Sequence, residues 1–168
     1  MIVGIDPGLD GALAFLDASL WSVVDMPIFK IGKHSEYHLA LMAQLLEDQS
    51  HLDGLSKPES VMVVLEEIGK RPEQSVQSMV TTGYGHGLLR GMIAVLGYQV
   101  VIVNPRRWQN AVLGKLGKGE AKDAAWERAR QIAPGANLSG PRGRRLYGRS
   151  DAICIAYWYE QHGSVGAA

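Results

Sequence analysis

The sequence contains one cysteine, Cys154, which excludes a disulfide bond within the chain. This cysteine lies in the apolar run AICIAYWY, where a buried thiol is favoured over a redox or metal-binding one. No apolar run approaches the ~20 residues that span a bilayer. The opening MIVGIDPG also lacks the basic segment and long apolar stretch of a signal peptide. We therefore expect a cytoplasmic protein that does not enter a membrane.

Net charge is missing as well, because 17 Lys and Arg residues balance 17 Asp and Glu residues. This balance argues against an indiscriminate binder of polyanions. The charges are nevertheless segregated: residues 1–66 contain 3 basic and 10 acidic side chains, whereas residues 67–168 contain 14 basic and 7 acidic ones. The asymmetry predicts an acidic locus beside a basic surface, although a random partition among solvated faces would give the same counts.

What is present is the pattern of one α/β domain over residues 1–168, a length typical of a single domain. Three antiparallel strands come first, and buried strands then alternate with amphipathic helices, which predicts a mixed sheet covered by helices. The predicted strands are 2–5, Ala12–Leu16, Trp21–Met26, Val61–Leu65 and Gln99–Val103. The first predicted helix has Ser35 as its candidate N-cap, followed by apolar residues at helical spacing: Leu39, Leu41, Met42, Leu45 and Leu46. The other predicted helices cover Gln74–Gly97, Glu120–Ile132 and Ser150–Gln161, with loops at Pro27–Lys33 and Pro134–Arg149.

The helix predicted over residues 74–97 is unusually rich in glycine, with Gly83, Gly85, Gly87 and Gly91. Each glycine costs about 1 kcal/mol of helix stability relative to Ala. Close packing, against the sheet or against a second subunit, is a better explanation for them than a phosphate-binding role. His86, which lies among these glycines, is expected to pack or to lie at an interface rather than to bind a metal.

Carboxylates end two predicted strands and begin the last helix. Asp6 ends the first strand, Glu66 and Glu67 end the fourth, and Asp151 follows Ser150 at a helix start. These positions can converge, and carboxylate oxygens are the ligands that Mg²⁺ prefers. A single acid at a strand end or helix N-cap is commonly structural, so the prediction depends on all three together. Adjacent strand residues face opposite sides, so only one of the two glutamates can point to the site.

Four segments resemble the RuvC family of Holliday junction resolvases, in particular its phage-type members. GIDPGLDGALAF is similar to the family's first hairpin, VLEEI to its fourth strand, and GRSDAICIAYW to its last helix. NPRRW followed by KDAAWERARQIAP is similar to a phage-type pattern in which Pro105, Trp108 and Lys122 recur. GIDPG alone is weakly specific, but the order, spacing and length of the match cover nearly the whole chain.

The resemblance implies a ribonuclease H-like fold: a five-stranded mixed sheet, its first three strands antiparallel, with helices on both faces. It implies Mg²⁺, with Mn²⁺ as a substitute, held by Asp6, Glu66 and Asp151, with Glu67 as a further candidate ligand and Lys122 near the catalytic pocket. The implied activity is that of a homodimeric endonuclease that cuts four-way DNA junctions in a bacterial or phage-infected cell, without a nucleotide cofactor. The glycine-rich helix is the candidate dimer interface.

The sequence departs from the family pattern just before Asp151, where the family usually has a further acid or histidine three or four residues earlier. This chain has Tyr147 and Gly148 there. Three explanations remain open: Glu67, Asp10 or water completes the site; one ion is bound weakly; or the protein is an inactive form.

Clustered cations predict DNA contacts, with solvated surface positions as the alternative for each. Arg142, Arg144, Arg145 and Arg149 lie among glycines in what is predicted to be a flexible loop that becomes ordered on DNA, where Arg can bind phosphate bidentately. The complete set of candidate DNA-binding residues is Lys70, Arg71, Arg106, Arg107, Lys115, Lys118, Lys122, Arg142, Arg144, Arg145 and Arg149. Core packing rather than base stacking is expected for the aromatic residues Trp108, Tyr84, Trp126, Trp158 and Tyr159.

Three other functions are compatible with parts of the pattern. A catalytically weak or inactive junction-binding protein is suggested by Tyr147 and Gly148. A related nuclease that acts on other branched DNA or on RNA would share the same fold. An actin-like ATPase or sugar kinase would share the GIDPG turn, but such proteins need a second domain and a second phosphate loop, for which this chain has neither length nor motif.

Overall fold

The computed structural model describes residues 1–32, 34–50, 58–69 and 75–163, without the side chains of residues 49, 50 and 59. Strands β1 (Ile2–Asp6), β2 (Ala12–Asp17) and β3 (Leu20–Asp25) form an antiparallel meander, as predicted. β1 also pairs in parallel with β6 (Met62–Glu66), which pairs in parallel with β7 (Gln99–Val103). The resulting order, β3-β2-β1-β6-β7, is the mixed five-stranded sheet that the sequence predicts.

Helices cover both faces of this sheet. Helices α1 (Leu39–Ser50) and α2 (Val76–Val95) lie on one face, where Met42, Leu89 and Ile93 pack on residues from β1, β2 and β6. Helices α3 (Pro105–Leu113), α4 (Ala121–Ile132) and α5 (Tyr147–His162) lie on the other, around Trp108 and Ile153. Alternate residues of a strand point to opposite faces, so each central strand contributes to both cores.

A hairpin of strands β4 (Ile28–Ile31) and β5 (His34–Tyr37) replaces the predicted loop and helix start. Ser35 is not an N-cap, because it pairs with Lys30 inside this hairpin. Helix α1 begins four residues later, where His38 Nδ1 accepts a hydrogen bond from the Leu41 amide (3.1 Å). The helix predicted from the leucine spacing is confirmed, but His38 rather than Ser35 accepts the hydrogen bond at its start.

The last helix starts earlier than predicted, at Tyr147 rather than at Ser150. Ser150 is buried in the first turns of α5, and its hydroxyl donates to the backbone oxygens of Leu146 and Tyr147. A serine can cap a helix or bond back to the preceding turn, and the sequence does not distinguish the two. Asp151 consequently lies in the second turn of α5 instead of at its N-terminus.

Close backbone approach at Gly4 places α5 directly on β1. A Cβ atom at this position would lie 2.6 Å from the backbone nitrogen of Ala156 and would also meet the Ala152 oxygen. Only glycine allows this contact, which brings the N-terminal half of α5 to the carboxyl end of β1. Of the helices in the described ranges, none has the length and apolar character needed to cross a bilayer.

Candidate active site

Asp6 is the last residue of β1, and the turn after it is held from two sides. The amide of Gly8 donates to Asp6 Oδ1 (3.2 Å), and the hydroxyl of Tyr37 donates to the backbone oxygen of Pro7 (2.6 Å). Burial, and then the nearby Asp6 charge, raise the pKa of Tyr37. The missed hairpin β4–β5 thus supplies a residue that fixes the turn carrying Asp6.

Glu66 ends the neighbouring strand β6, and its side chain faces helix α3. Trp108, only 1% exposed, donates its indole N–H to Glu66 Oε1 (2.7 Å). The expectation that Trp108 packs in the core is confirmed, but it also has a polar contact that the sequence did not suggest. The neighbouring Glu67 accepts a hydrogen bond from Asn104 Nδ2 (2.9 Å).

Asp151 lies half-buried on α5, close enough to Asp6 and Glu66 for their charges to affect its pKa. Burial raises the pKa of Asp151 well above its ordinary range, and the negative charges of Asp6 and Glu66 raise it further. The ammonium group of Lys122, on α4, acts in the opposite direction and lowers the same pKa. The fold therefore brings the charges of Asp6, Glu66 and Lys122 near enough to Asp151 to affect its pKa.

The donor set suits a hard divalent cation, because carboxylate oxygens are the preferred ligands of Mg²⁺ and a cation would relieve the repulsion around Asp151. The acids are not closed into a ready-made cage: in the described part of the chain, no three His, Cys, Asp or Glu side chains are grouped tightly enough to hold a metal. The residues fit such an ion in charge and in the chemistry of their donor atoms.

Tyr147 and Gly148, which stand where a further ligand was expected, have other structural roles. The hydroxyl of Tyr147 donates to Asp123 Oδ1 (2.8 Å), and the Lys122 ammonium lies 5.5 Å from the centre of its ring. Gly148 is buried against the backbone of the turn between β1 and β2. Neither residue offers a carboxylate to the site.

His86 lies on helix α2, and its imidazole interacts with the backbone of Glu66 at the end of β6. Burial lowers the pKa of His86, and Arg90 lowers it further, although the Glu66 backbone and the Glu67 charge oppose the shift. Its Nε2 atom is buried and has no hydrogen-bond partner among the described residues. The expected packing role agrees with this environment.

The predicted flexible arginine loop is folded, and two of its arginines have protein partners. Arg149 donates to both carboxylate oxygens of Asp25 (2.6 and 2.9 Å) and to the Asn137 backbone oxygen. Arg145 pairs with Asp123 (2.7 Å) and stacks on Trp126. A β-bridge between Ser139 and Arg145 closes the segment. The prediction of a disordered loop is therefore wrong, because acids distant in sequence neutralise and anchor it.

The remaining cations lie mostly on the surface. Arg142 and Arg144 are exposed and make no ion pair within the described ranges. Exposed positions are also occupied by Arg106, Arg107, Lys115, Lys118 and Lys122, with Arg107 stacked on Trp158. Lys70 and Arg71 lie outside the described residues.

The aromatic predictions have mixed outcomes. Trp158 is buried, and Trp126 and Tyr159 pack on the same core, as expected. Tyr84 is 65% exposed on α2, so the expectation that it packs in the core is wrong.

The fold is similar to that of RuvC-type Holliday junction resolvases of known structure. RuvC of T. thermophilus in complex with a Holliday junction substrate superposes with a TM-score of 0.56 and 15% identity, over 99% of this chain and 97% of that one. A second Thermus thermophilus RuvC structure gives 0.55 and 18%, over 96% of both chains. The yeast mitochondrial Holliday junction resolvase Ydc2 gives 0.52 and 14%, over 98% of this chain and 80% of that one. No protein-family model and no curated protein sequence matches the chain.

Proposed function

We propose that this protein is a Mg²⁺-dependent endonuclease that resolves four-way DNA junctions. The observation that carries the proposal is the placement of Asp6 and Glu66 at the adjacent carboxyl ends of the paired strands β1 and β6, with Asp151 near enough for their charges to raise its pKa. Such an enzyme needs a cluster of acids that can bind a divalent cation, and in this RuvC-like fold the acids lie where β1 and β6 end. The likeness to RuvC bound to a Holliday junction supports the choice of substrate.

Asp6, Glu66 and Asp151 would hold the metal, with Glu67 turned toward Asn104 as the weaker candidate ligand. A bound Mg²⁺ would supply the chemistry that activates water and stabilises the leaving oxygen of a phosphodiester, and hydrolysis would leave 5′-phosphate and 3′-hydroxyl ends. The protein's own groups orient these acids through Gly8 and Trp108. Lys122 adds positive charge beside Asp151, where a scissile phosphate would be attracted.

The exposed cations would hold the arms of the junction. Arg142 and Arg144 are the leading candidates, because Arg145 and Arg149 are already paired with Asp123 and Asp25. Lys115, Lys118, Arg106 and Arg107 lie on or near α3 and α4, on the face that carries Asp151. Backbone phosphate contacts of this kind dominate affinity for DNA.

Two symmetric cuts require two active sites, so the proposal includes a homodimer. Helix α2 offers the surface for it. A shallow apolar groove of about 680 Å³ runs between α1 and α2, lined by Leu39, Ala40, Ala43, Gly83, Tyr84, Gly87, Leu88, Gly91, Met92, Val95 and Leu96. The three glycines in this lining, Gly83, Gly87 and Gly91, face open space, so a second helix can approach closely there.

The test is cleavage of synthetic DNA in the presence of Mg²⁺, with four-way, three-way, flap and RNA–DNA hybrid substrates compared side by side. We expect preferential cutting of the four-way junction by the wild type. Asp6→Asn should bind the junction as well as the wild type but not cut it. Unchanged cleavage by this variant would remove Asp6 from the site, and preference for another substrate would reassign the nuclease.

An inactive junction-binding protein is the second candidate, and Gly148 is the observation that favours it, since this position has no room for the family's further ligand. Wild-type protein that binds the four-way junction tightly but leaves it intact with both Mg²⁺ and Mn²⁺ would establish this alternative.

A further inference from the structure

The first turns of helix α3 bind the two adjacent glutamates at the end of β6 through different donors. Asn104, the N-cap of α3, accepts the Arg106 amide through Oδ1 and donates through Nδ2 to Glu67 Oε2 (2.9 Å). Trp108, one turn further along, donates to Glu66 Oε1 (2.7 Å). One helix start therefore holds both carboxylates, each by its own donor.

The donor that Glu66 receives has particular chemical consequences. An indole N–H is neutral, cannot accept a hydrogen bond and does not titrate. It fixes the carboxylate without cancelling its negative charge, whereas a Lys or Arg in that place would neutralise the acid and compete with a cation. Because Trp108 is only 1% exposed, its packing in the core holds the ring, and hence the donor, in one orientation.

We propose that Trp108 is a positioning residue that aims the Glu66 carboxylate at the site shared with Asp6 and Asp151. The proposal rests on the proposed function for the metal, but the hydrogen bond itself does not depend on it. Groups that orient metal ligands typically contribute 10–100-fold to metal affinity. The signal in the sequence would have been a tryptophan one turn into the helix that follows β7, the strand that pairs with the acid-terminated β6.

The chain provides a matched control in Trp126. Its indole also makes one hydrogen bond, to the Leu138 backbone oxygen (3.3 Å), and not to a carboxylate. Trp108→Phe and Trp126→Phe each remove one indole N–H and keep an aromatic ring. We expect Trp108→Phe to weaken Mg²⁺ binding about 10-fold by titration calorimetry, and Trp126→Phe to leave it unchanged. Equal affinities in the two variants, or a wild type that binds no Mg²⁺, would overturn the metal-positioning role.

A second measurement needs neither metal nor DNA and does not depend on the folding of Trp108→Phe. The four tryptophans give separate indole N–H signals in a ¹H–¹⁵N spectrum of the metal-free protein. The Trp108 signal should move upfield in Glu66→Gln, because a neutral amide is a weaker acceptor than a carboxylate, while the Trp126 signal stays in place. An unmoved Trp108 signal would show that the bond is not formed in solution. If the Trp108 signal shifts in Glu66→Gln but the wild-type protein cleaves no DNA, the hydrogen bond is supported and the proposed function is not.

Discussion

Gly148 lies so close to Gly11 that a Cβ atom added at position 148 would come within 2.7 Å of the Gly11 Cα atom, and it would also meet the Asp10 backbone oxygen. The first turn of α5 thus packs backbone to backbone on the turn that follows Asp6. This contact leaves no room at position 148 for the side chain of a metal ligand. Glycine at this position therefore follows from the packing of the site.

Replacement of Gly148 should test this packing directly. We expect Gly148→Ala to lower the free energy of unfolding by about 1–3 kcal/mol, the usual range for overpacking a close contact, as measured by urea denaturation. Gly135→Ala is the control, because its Cβ would meet nothing within 4 Å. Equal free energies of unfolding for the two variants would mean that position 148 can accommodate a Cβ atom and that the backbones do not pack closely there.

Position 147 is the remaining place for the family's further ligand, since it lies four residues before Asp151 on the same face of α5. Tyr147→Asp should tighten Mg²⁺ binding in calorimetry and raise the cleavage rate, because it adds a carboxylate beside the acidic site. Tyr147→Phe is the control: it removes the hydroxyl that donates to Asp123 but adds no charge. If Tyr147→Asp gains neither binding nor cleavage, a missing ligand does not limit the site.

The parts of the fold that the sequence predicted are those set by long repeating patterns. The continuous apolar run before Glu66 and the leucine spacing of α1 allow few alternatives, and both elements were found near their predicted positions. The hairpin β4–β5 was missed because Ile28–Ile31 and His34–Tyr37 are only four residues each, and every residue of β4 is exposed. Such strands lack the buried alternation on which strand prediction depends.

For the candidate site, the sequence indicated the acids but not the groups that hold them. Asp6 and Glu66 end apolar runs that predict strands, and Asp151 follows a serine at a predicted helix start. The sequence alone therefore indicates these three acids as candidates. The bonds from Trp108 to Glu66 and from Arg149 to Asp25 join residues 42 and 124 positions apart. Contacts at such separations depend on the completed fold, and the sequence therefore does not indicate that Arg149 pairs with an acid of β3.

The raised pKa of Asp151 predicts a stability that falls with rising pH in metal-free buffer. Because the folded state holds this proton more tightly than the unfolded state, the free energy of unfolding decreases as the pH rises from the ordinary aspartate pKa through the raised one. We expect Asp151→Asn to be more stable than the wild type at neutral pH. The difference should vanish in acid, where Asp151 is protonated in both states.

Thermal melts across this pH range measure the effect, and Asp48→Asn, an exposed change on α1, is the control. Mg²⁺ should reduce the gap between the wild type and Asp151→Asn at neutral pH by stabilising the wild type. Melting curves of the two proteins that run parallel over the whole pH range would show that Asp151 does not carry the repulsion.

The arginines of the folded loop should separate into two classes. Arg142→Gln and Arg144→Gln should weaken four-way junction binding and reduce the slope of log Kd against log salt by about 0.9 for each lost phosphate contact, with unchanged melting temperature. Arg149→Gln should instead lower the free energy of unfolding by about 1 kcal/mol, since it loses two hydrogen bonds to the largely exposed Asp25. Fluorescence anisotropy at several salt concentrations, together with thermal melts, distinguishes the classes. Loss of stability in Arg142→Gln would place that residue in the structural class.

A charge placed on the open face of α2 should separate the proposed dimer. Gly87 faces open space within the apolar groove, so Gly87→Glu adds no clash to the single chain but places a carboxylate where a second helix would pack. Light scattering should give the wild type the mass of two 18.3 kDa chains and the variant the mass of one. Gly135→Glu, at an open position away from the groove, should remain dimeric. A monomeric wild type would remove the paired active sites that symmetric cutting requires, whereas a dimeric Gly87→Glu would move the interface away from α2.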